Sequence, residues 1–286
     1  MTTATRYPAT ESGHFNASDG VQIQYRVHRP ESAHFGVVVV HGFAEHGNRY
    51  GHVVDALVPA GAAVLTYDQR GHGQSGGRRV FVTRFDEYLD DLAQVLALAK
   101  GKLPQPLFVL GHSMGGLVVL SYALRDRSGV AGWAVSNPAL LNRVVVPAWK
   151  ETLAQVMSSV IPGLSLPSGL PPEHISRDAD EVKQYDKDSL NNKNATARWY
   201  TEYIGAQKRL IAGAEGLRGL PLLVQIGDGD LIIDPVASQQ FAARVGGDAL
   251  QVHVYAGLYH EIFNELPADR ERVLADLVSW LTARLP

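Results

Sequence analysis

The sequence predicts an α/β protein with a mostly parallel central sheet covered by helices. Three observations carry this expectation. Short, continuous apolar runs recur along the chain, as in strands buried on both faces. Stretches of helical length separate them, which implies βαβ units with right-handed crossovers. The chain has 286 residues, 45% of them hydrophobic and 19% charged, enough to bury a large core without disulfides or a structural metal.

Taken in order, Gln22–His28 alternates like a strand. Val37–Val40 is a β-branched run ending at His41-Gly42, and Ala62–Tyr67 is a second run followed by the glycine-rich segment 68–77. Phe85–Lys100 places Tyr88, Leu89, Leu92, Val95, Leu96 and Leu98 on one wide helical face. Leu107–Leu110 is a third run, and the helical segment Met114–Leu124 follows it directly. Leu222–Ile226 and Leu250–Tyr255 repeat the theme, with helices expected over Pro235–Val245 and Arg270–Leu285. Between residues 136 and 219 the rhythm breaks: no buried strand stands out and residues 162–172 are rich in Pro and Gly. Trp149, Leu153, Val156, Met157, Val160 and Ile161 share one helical stripe there, while Lys150, Glu151, Gln155, Ser158 and Ser159 fall elsewhere. The expected organisation is a core from residues 1–137 and 220–286 with a helical cap over 138–219. An ordinary helical excursion is the alternative for that insert.

Composition excludes several classes. With no Cys, the chain has no disulfide framework, no thiolate nucleophile and no thiolate metal site. Lys+Arg is 26 against Asp+Glu 29, which argues against an electrostatic nucleic-acid binder. The polar first twenty residues lack a signal-peptide core, and no run approaches the about 18 apolar residues of a membrane span. A cytoplasmic protein is expected, with peripheral membrane contact through the cap as a further option.

The strongest motif is Gly111-His112-Ser113-Met114-Gly115, a G-x-S-x-G set between a buried strand and a helix. A sharp turn there lifts the Ser113 hydroxyl above the sheet edge and puts the Met114 amide at a helix N-terminus, which favours negative charge. Gly73-Gln74-Ser75-Gly76-Gly77 matches by letters but lacks that setting and reads as a loop. A serine nucleophile needs a base, and the base a carboxylate, in the chain order Ser, acid, His. Asp228, Asp230 and Asp234 all follow a strand end, and spacing does not choose among them. Asp234 precedes Pro235 as an N-cap would, and Asp228 suits a turn. His260 follows the next strand end, whereas His253 lies inside a strand as a packed or edge histidine. His41-Gly42-Phe43 offers the Phe43 amide as a second oxyanion donor beside that of Met114.

These residues together resemble the monoacylglycerol lipase and lysophospholipase-like branch of the α/β-hydrolase fold, from about Gly20 onward. The resemblance rests on five motifs: the segment His41–His46 with Arg49-Tyr50, the segment Asp68–Ser75, the segment Gly111–Gly116, Gly227-Asp228-Gly229-Asp230, and Gly257-Leu258-Tyr259-His260-Glu261. It implies Ser113 as nucleophile, Asp230 as the acid, His260 as the base, and Phe43 and Met114 as oxyanion donors. It further implies that Glu45, Arg49 and Tyr185 line the polar, glycerol-side end of a pocket. A structural Glu45–Arg49 ion pair and a Tyr185 packed within the cap form the alternative. The chain departs from the family at Asp188-Ser189-Leu190, where Asp-Pro-Leu is common, and at Phe263, where some members carry a further His.

The expected activity is hydrolysis of lipid-like esters, monoacylglycerol foremost, with no metal or cofactor and a small-molecule ester as the partner. Lysophospholipase, carboxylesterase and thioesterase activities are the neighbouring alternatives, and a non-catalytic lipid binder is one from another class.

Overall fold

The computed structural model describes residues 5–143 and 148–286. Eight strands form one sheet in the order β1-β2-β4-β3-β5-β6-β9-β10. They are β1 (Glu11–Asn16), β2 (Gln22–His28), β3 (Phe35–Val40), β4 (Ala62–Tyr67), β5 (Leu107–His112), β6 (Gly132–Ser136), β9 (Leu222–Gly227) and β10 (Leu250–Tyr255). β2 runs antiparallel to β1 and β4, and every other pairing is parallel. Helices α1 (Gly51–Leu57), α2 (Asp86–Lys102), α3 (Met114–Arg125), α7 (Pro235–Val245) and α8 (Pro267–Thr282) cover it.

The β-branched runs build two cores by simple alternation. In β3, Val38 and Val40 face a cluster containing Leu92 and Val95 of α2, Leu117 and Val118 of α3 and Phe241 of α7. Val37 and Val39 face the opposite cluster, with Val53 and Leu57 of α1 and Val273, Leu277 and Trp280 of α8. Strands covered on both faces need apolar residues at every position, which is why the runs read as continuous.

Three elements differ from the sequence expectation. β6 lies between β5 and β9 and is wholly buried, a strand that the sequence reading does not name, and the break in the βαβ rhythm begins where it ends. Its span of Gly, Trp, Ala, Val and Ser is too short and mixed to announce itself. β1 carries a single large apolar residue, Phe15, and depends on pairing with β2. β10 is an edge strand, so Gln251, Val252 and Val254 are exposed instead of being buried on both faces.

Between β6 and β9 come α4 (Ala148–Val160), β7 (Ser165–Pro167), α5 (Ala179–Lys187), β8 (Asn194–Thr196) and α6 (Ala197–Ala212), with β7 and β8 paired antiparallel. The apolar stripe of α4 points outward: Trp149 is 64% and Val160 68% exposed, with Leu153, Val156 and Ile161 also exposed. The side chains of Lys150 and Glu151 lie outside the described residues.

Among the described glycines, the tightest approach to another backbone is where α3 begins. A Cβ on Gly115 would lie 2.0 Å from the Val40 carbonyl oxygen and 2.5 Å from that of His41. Backbone cannot yield as a side chain can, so Gly115→Ala is expected to cost at least about 1–3 kcal/mol. Thermal melts check this, and an unchanged midpoint would contradict the packing.

Candidate active site

Parallel strands bring their C-terminal ends to one edge, where open α/β sheets place their sites. Ser113 follows β5 and sits at φ 51°, ψ −118°, in the strained region for a residue with a Cβ. Its amide donates to the Ser136 carbonyl at the end of β6 (3.0 Å). Ser113 Oγ faces His260 Nε2 at 2.8 Å, and His260 Nδ1 faces Asp230 Oδ2 at 2.6 Å. All three residues are buried. The other Asp230 oxygen accepts from the Ile232 and Ile233 amides (2.7 and 3.0 Å), and this fixes the carboxylate's orientation.

The rival acids take the roles that their positions suggested. Asp228 accepts from the Gly257 amide as a turn former (2.5 Å), and Asp234 caps α7 through the Val236 and Ala237 amides. Ser75 is buried, donating to the Asp68 carbonyl and accepting from the Gln24 amide, so it belongs to a loop scaffold. His253 lies on the edge strand beside Asp276 (3.2 Å).

Burial opposes a charge on His260, but the Asp230 carboxylate outweighs it and the imidazole pKa is raised above its usual value. His112 has its ring centroid 4.8 Å from that of His260 and its Nδ1 2.8 Å from Ser136 Oγ. Burial, followed by the nearness of His260, drives its pKa well down, so it is neutral.

On the other side of Ser113 lies the turn after β3. A Cβ on Gly42 would come within 3.2 Å of Ser113 Cβ, so the turn that leads into Phe43 lies against Ser113, which Met114 follows at the start of α3. Glu45 folds back to accept from the Gly42 amide (2.5 Å) and the Tyr50 hydroxyl (2.8 Å). Arg49 donates to Glu45 (2.9 Å) and bidentately to Glu261 (2.5 and 2.7 Å), and its guanidinium lies 4.7 Å from the centre of the Tyr185 ring. Glu45 and Tyr185 therefore both contact Arg49, and the charged atoms of Arg49 are engaged by Glu45 and Glu261. Burial raises both carboxyl pKa values. The bidentate Arg49 reverses this for Glu261, which is lowered, while Glu45 stays raised.

Two residues here escaped the sequence reading. Glu261 was seen only as a motif letter after His260. Asn137, 2% exposed at φ 38°, donates from Nδ2 to the His260 and Tyr259 carbonyls (2.7 and 3.1 Å). Its Oδ1 accepts from the Gly227 amide (2.8 Å), so one side chain joins the acid loop to the histidine loop. The available signal was an Asn directly after a buried strand, a residue type that tolerates the left-handed region.

Two outcomes follow. Asn137→Gly tolerates the backbone angle but loses all three bonds. Its kcat is expected to fall by about tenfold or more with KM little changed, since small misplacements of reacting groups are costly; wild-type kcat would contradict the role. The raised His260 pKa means that the base is still protonated at a pH where an ordinary histidine, near about 6.5, is half free. The acidic limb of kcat/KM against pH should therefore lie above that value and move down in Asp230→Asn.

A protein-family model described as serine aminopeptidase, S33, matches residues 31–267. The chain is 35% identical to the monoacylglycerol lipase of Mycolicibacterium smegmatis, over 97% of this chain and 99% of that protein. Among solved structures, the Paleococcus ferrophilus monoacylglycerol lipase superposes with a TM-score of 0.81 at 29% identity, covering 92% of this chain and 99% of that one. A soluble variant of monoglyceride lipase from Saccharomyces cerevisiae, at 22% identity, shares the fold with a TM-score of 0.86, covering 100% of this chain and 98% of that one. The chain is a serine ester hydrolase of the S33 serine aminopeptidase family with the α/β-hydrolase fold, and it belongs to that family's monoacylglycerol lipase branch.

Proposed function

We propose that the protein hydrolyses monoacylglycerols to fatty acid and glycerol through an acyl-enzyme on Ser113. The observation that carries the reading is the unbroken chain from Ser113 Oγ to His260 to Asp230, at 2.8 and 2.6 Å, on a nucleophile held in a strained turn. His260 Nε2 takes the hydroxyl proton as Oγ bonds to the ester carbonyl carbon. Asp230 holds the Nδ1–H tautomer and stabilises the imidazolium. The Phe43 and Met114 amides receive the oxyanion, one such donor being worth about 10²–10³ in turnover. Collapse breaks the carbon–oxygen bond to glycerol, which leaves with the proton from His260. Water then bonds to the acyl carbon as His260 Nε2 takes one of its protons; collapse breaks the Oγ–acyl bond, Oγ takes that proton back from His260, and the fatty acid leaves. The names of the relatives support glycerol as the leaving alcohol.

The insert between β6 and β9 serves in this reading as a cap over the site. Among the described residues no helix is long and apolar enough to cross a membrane. The exposed stripe of α4, with Trp149, Leu153, Val156 and Val160, favours the cap as the face that meets a lipid surface.

A fluorophosphonate probe is expected to label the wild type and Ser75→Ala but not Ser113→Ala. On a substrate panel, monoacylglycerols should give a higher kcat/KM than lysophospholipids, thioesters or short p-nitrophenyl esters. Labelling that survives loss of Ser113 would refute the nucleophile, and a preference for another ester class would refute the substrate.

A further inference from the structure

The turn that carries the Phe43 amide is held from the cap at four points. The Phe43 ring stacks on Trp199 of α6, with centroids 4.5 Å apart. The Ala44 carbonyl accepts from the Asn192 amide (2.9 Å). His46 Nε2 meets Asp188 Oδ2 at 3.1 Å, the His46 ring buried and Asp188 part-buried. The Arg49 guanidinium lies against the Tyr185 ring. Three of the four cap partners fall within eight residues of chain, from Tyr185 to Asn192.

That stretch is itself a built turn. The second Asp188 oxygen accepts from the Leu190 amide (2.9 Å), the Asp188 carbonyl accepts from the Asn191 amide (3.2 Å), and Asn191 Nδ2 donates to the Tyr185 carbonyl (2.9 Å). Asp188 thus shapes the turn with one oxygen and reaches the core with the other.

Backbone strain marks what the contact does. Among the described residues, four other than glycine have positive φ: Ala44 (65°), Val80 (45°), Ser113 and Asn137. The last two are pinned within the core. The first two each have their carbonyl captured by the cap, Ala44 by the Asn192 amide and Val80 by Thr196 Oγ1 (2.7 Å). Strained backbone persists only where its surroundings over-determine it. At Ala44 those surroundings include the cap.

We propose that the Tyr185–Asn192 turn of the cap is a positioning element for the oxyanion hole, with Asp188 as its main tie. The cap then sets the direction of the Phe43 amide as well as covering the pocket. The inference rests on the reading of Phe43 as an oxyanion donor. It gives Asp188 a role in the acylation step for any ester, whatever the acyl length.

The test is Asp188→Ala with p-nitrophenyl acetate, which is too short to need a pocket wall, beside a long-chain monoacylglycerol. Acylation should slow by at least about tenfold for both substrates, with KM little changed, because a misaimed donor acts on the transition state. A trifluoromethyl ketone, whose hydrate-like adduct fills the oxyanion site, should bind more weakly by the same factor. Asp188→Asn keeps an acceptor for Leu190 and a polar partner for His46, and should restore most of the rate. If Asp188→Ala does not fold, Asp188→Ser reads the same point: it can still accept from Leu190 but cannot reach His46. An active wild type whose Asp188→Ala loses only long-chain KM, with acetate turnover and ketone affinity intact, would overturn this inference alone. An inactive wild type would overturn the functional reading and the inference with it.

Discussion

The site descends from how closely α3 begins against the end of β3. With glycine at 115, the helix starts in contact with the Val40 and His41 carbonyls. With glycine at 111, the strand before it clears the Gly115 carbonyl, which a Cβ would meet at 2.5 Å. The chain therefore reverses from strand to helix in one residue, and that residue is Ser113. Its carbonyl accepts from the Leu117 and Ala139 amides (3.1 and 2.9 Å) and its amide donates to β6, so the strained conformation is clamped from both sides. The same approach brings Gly42 against Ser113. Ser113 and the residues beside it that the proposed function uses are thus placed by one backbone contact, made before any side chain is chosen for chemistry.

The histidine and acid loops obey a parallel constraint. A Cβ on Gly227 would lie 2.5 Å from the Leu258 carbonyl, and one on Gly229 would lie 2.8 Å from that of Gly257. The loops pack backbone to backbone, and Asn137 stitches them together. Charge then follows position. His260 has Asp230 on its Nδ1 side and the Glu45–Arg49–Glu261 group nearby, and the two glutamates add to the pull that raises its pKa. A fully ionised trio would carry one net negative charge, which favours a protonated His260. His112 stays neutral and adds no opposing charge.

Much of this was legible in the sequence because each feature has a local signature. Strands buried on both faces write themselves as unbroken Val and Leu runs, and a strand–glycine–serine–helix boundary needs no tertiary information. The choice of Asp230 over Asp228 and Asp234 was legible only through family resemblance. What separates the three is where each side chain points, and spacing along a loop does not encode that. β6 was missed because its burial comes from neighbours on both sides, and its own five residues carry little pattern. The bonds of Asn137 and Glu261 were not legible for a related reason: each reaches a loop distant in sequence, through contacts that exist only once the sheet has aligned the strand ends. The outward α4 stripe shows the limit of periodicity. An apolar face predicts a helix, but not whether protein, substrate or lipid covers it.

The insert divides by what holds it. From Ile175 onward it is tied to the core: the Ile175 carbonyl accepts from the Glu261 amide (2.7 Å), Ser176 Oγ donates to the Asn264 carbonyl (2.7 Å), and Arg177 pairs with Glu265 (3.0 Å). Those partners lie in the segment 261–265 just after His260, as the partners of Asp188 and Asn192, His46 and Ala44, lie just after Phe43. One continuous stretch of the insert thus grips both the Phe43 turn and the His260 loop, and it cannot swing away without loosening them. α4 is held differently. Ser158 of that helix contacts Thr201 and Arg198 of α6, within the insert itself, while the apolar stripe faces out. Under the proposed function, residues 175–192 of the insert steady the Phe43 and His260 turns while α4 rests on α6 and turns its apolar stripe outward, so contact with a lipid surface and placement of the Phe43 amide make no competing demand on the same residues.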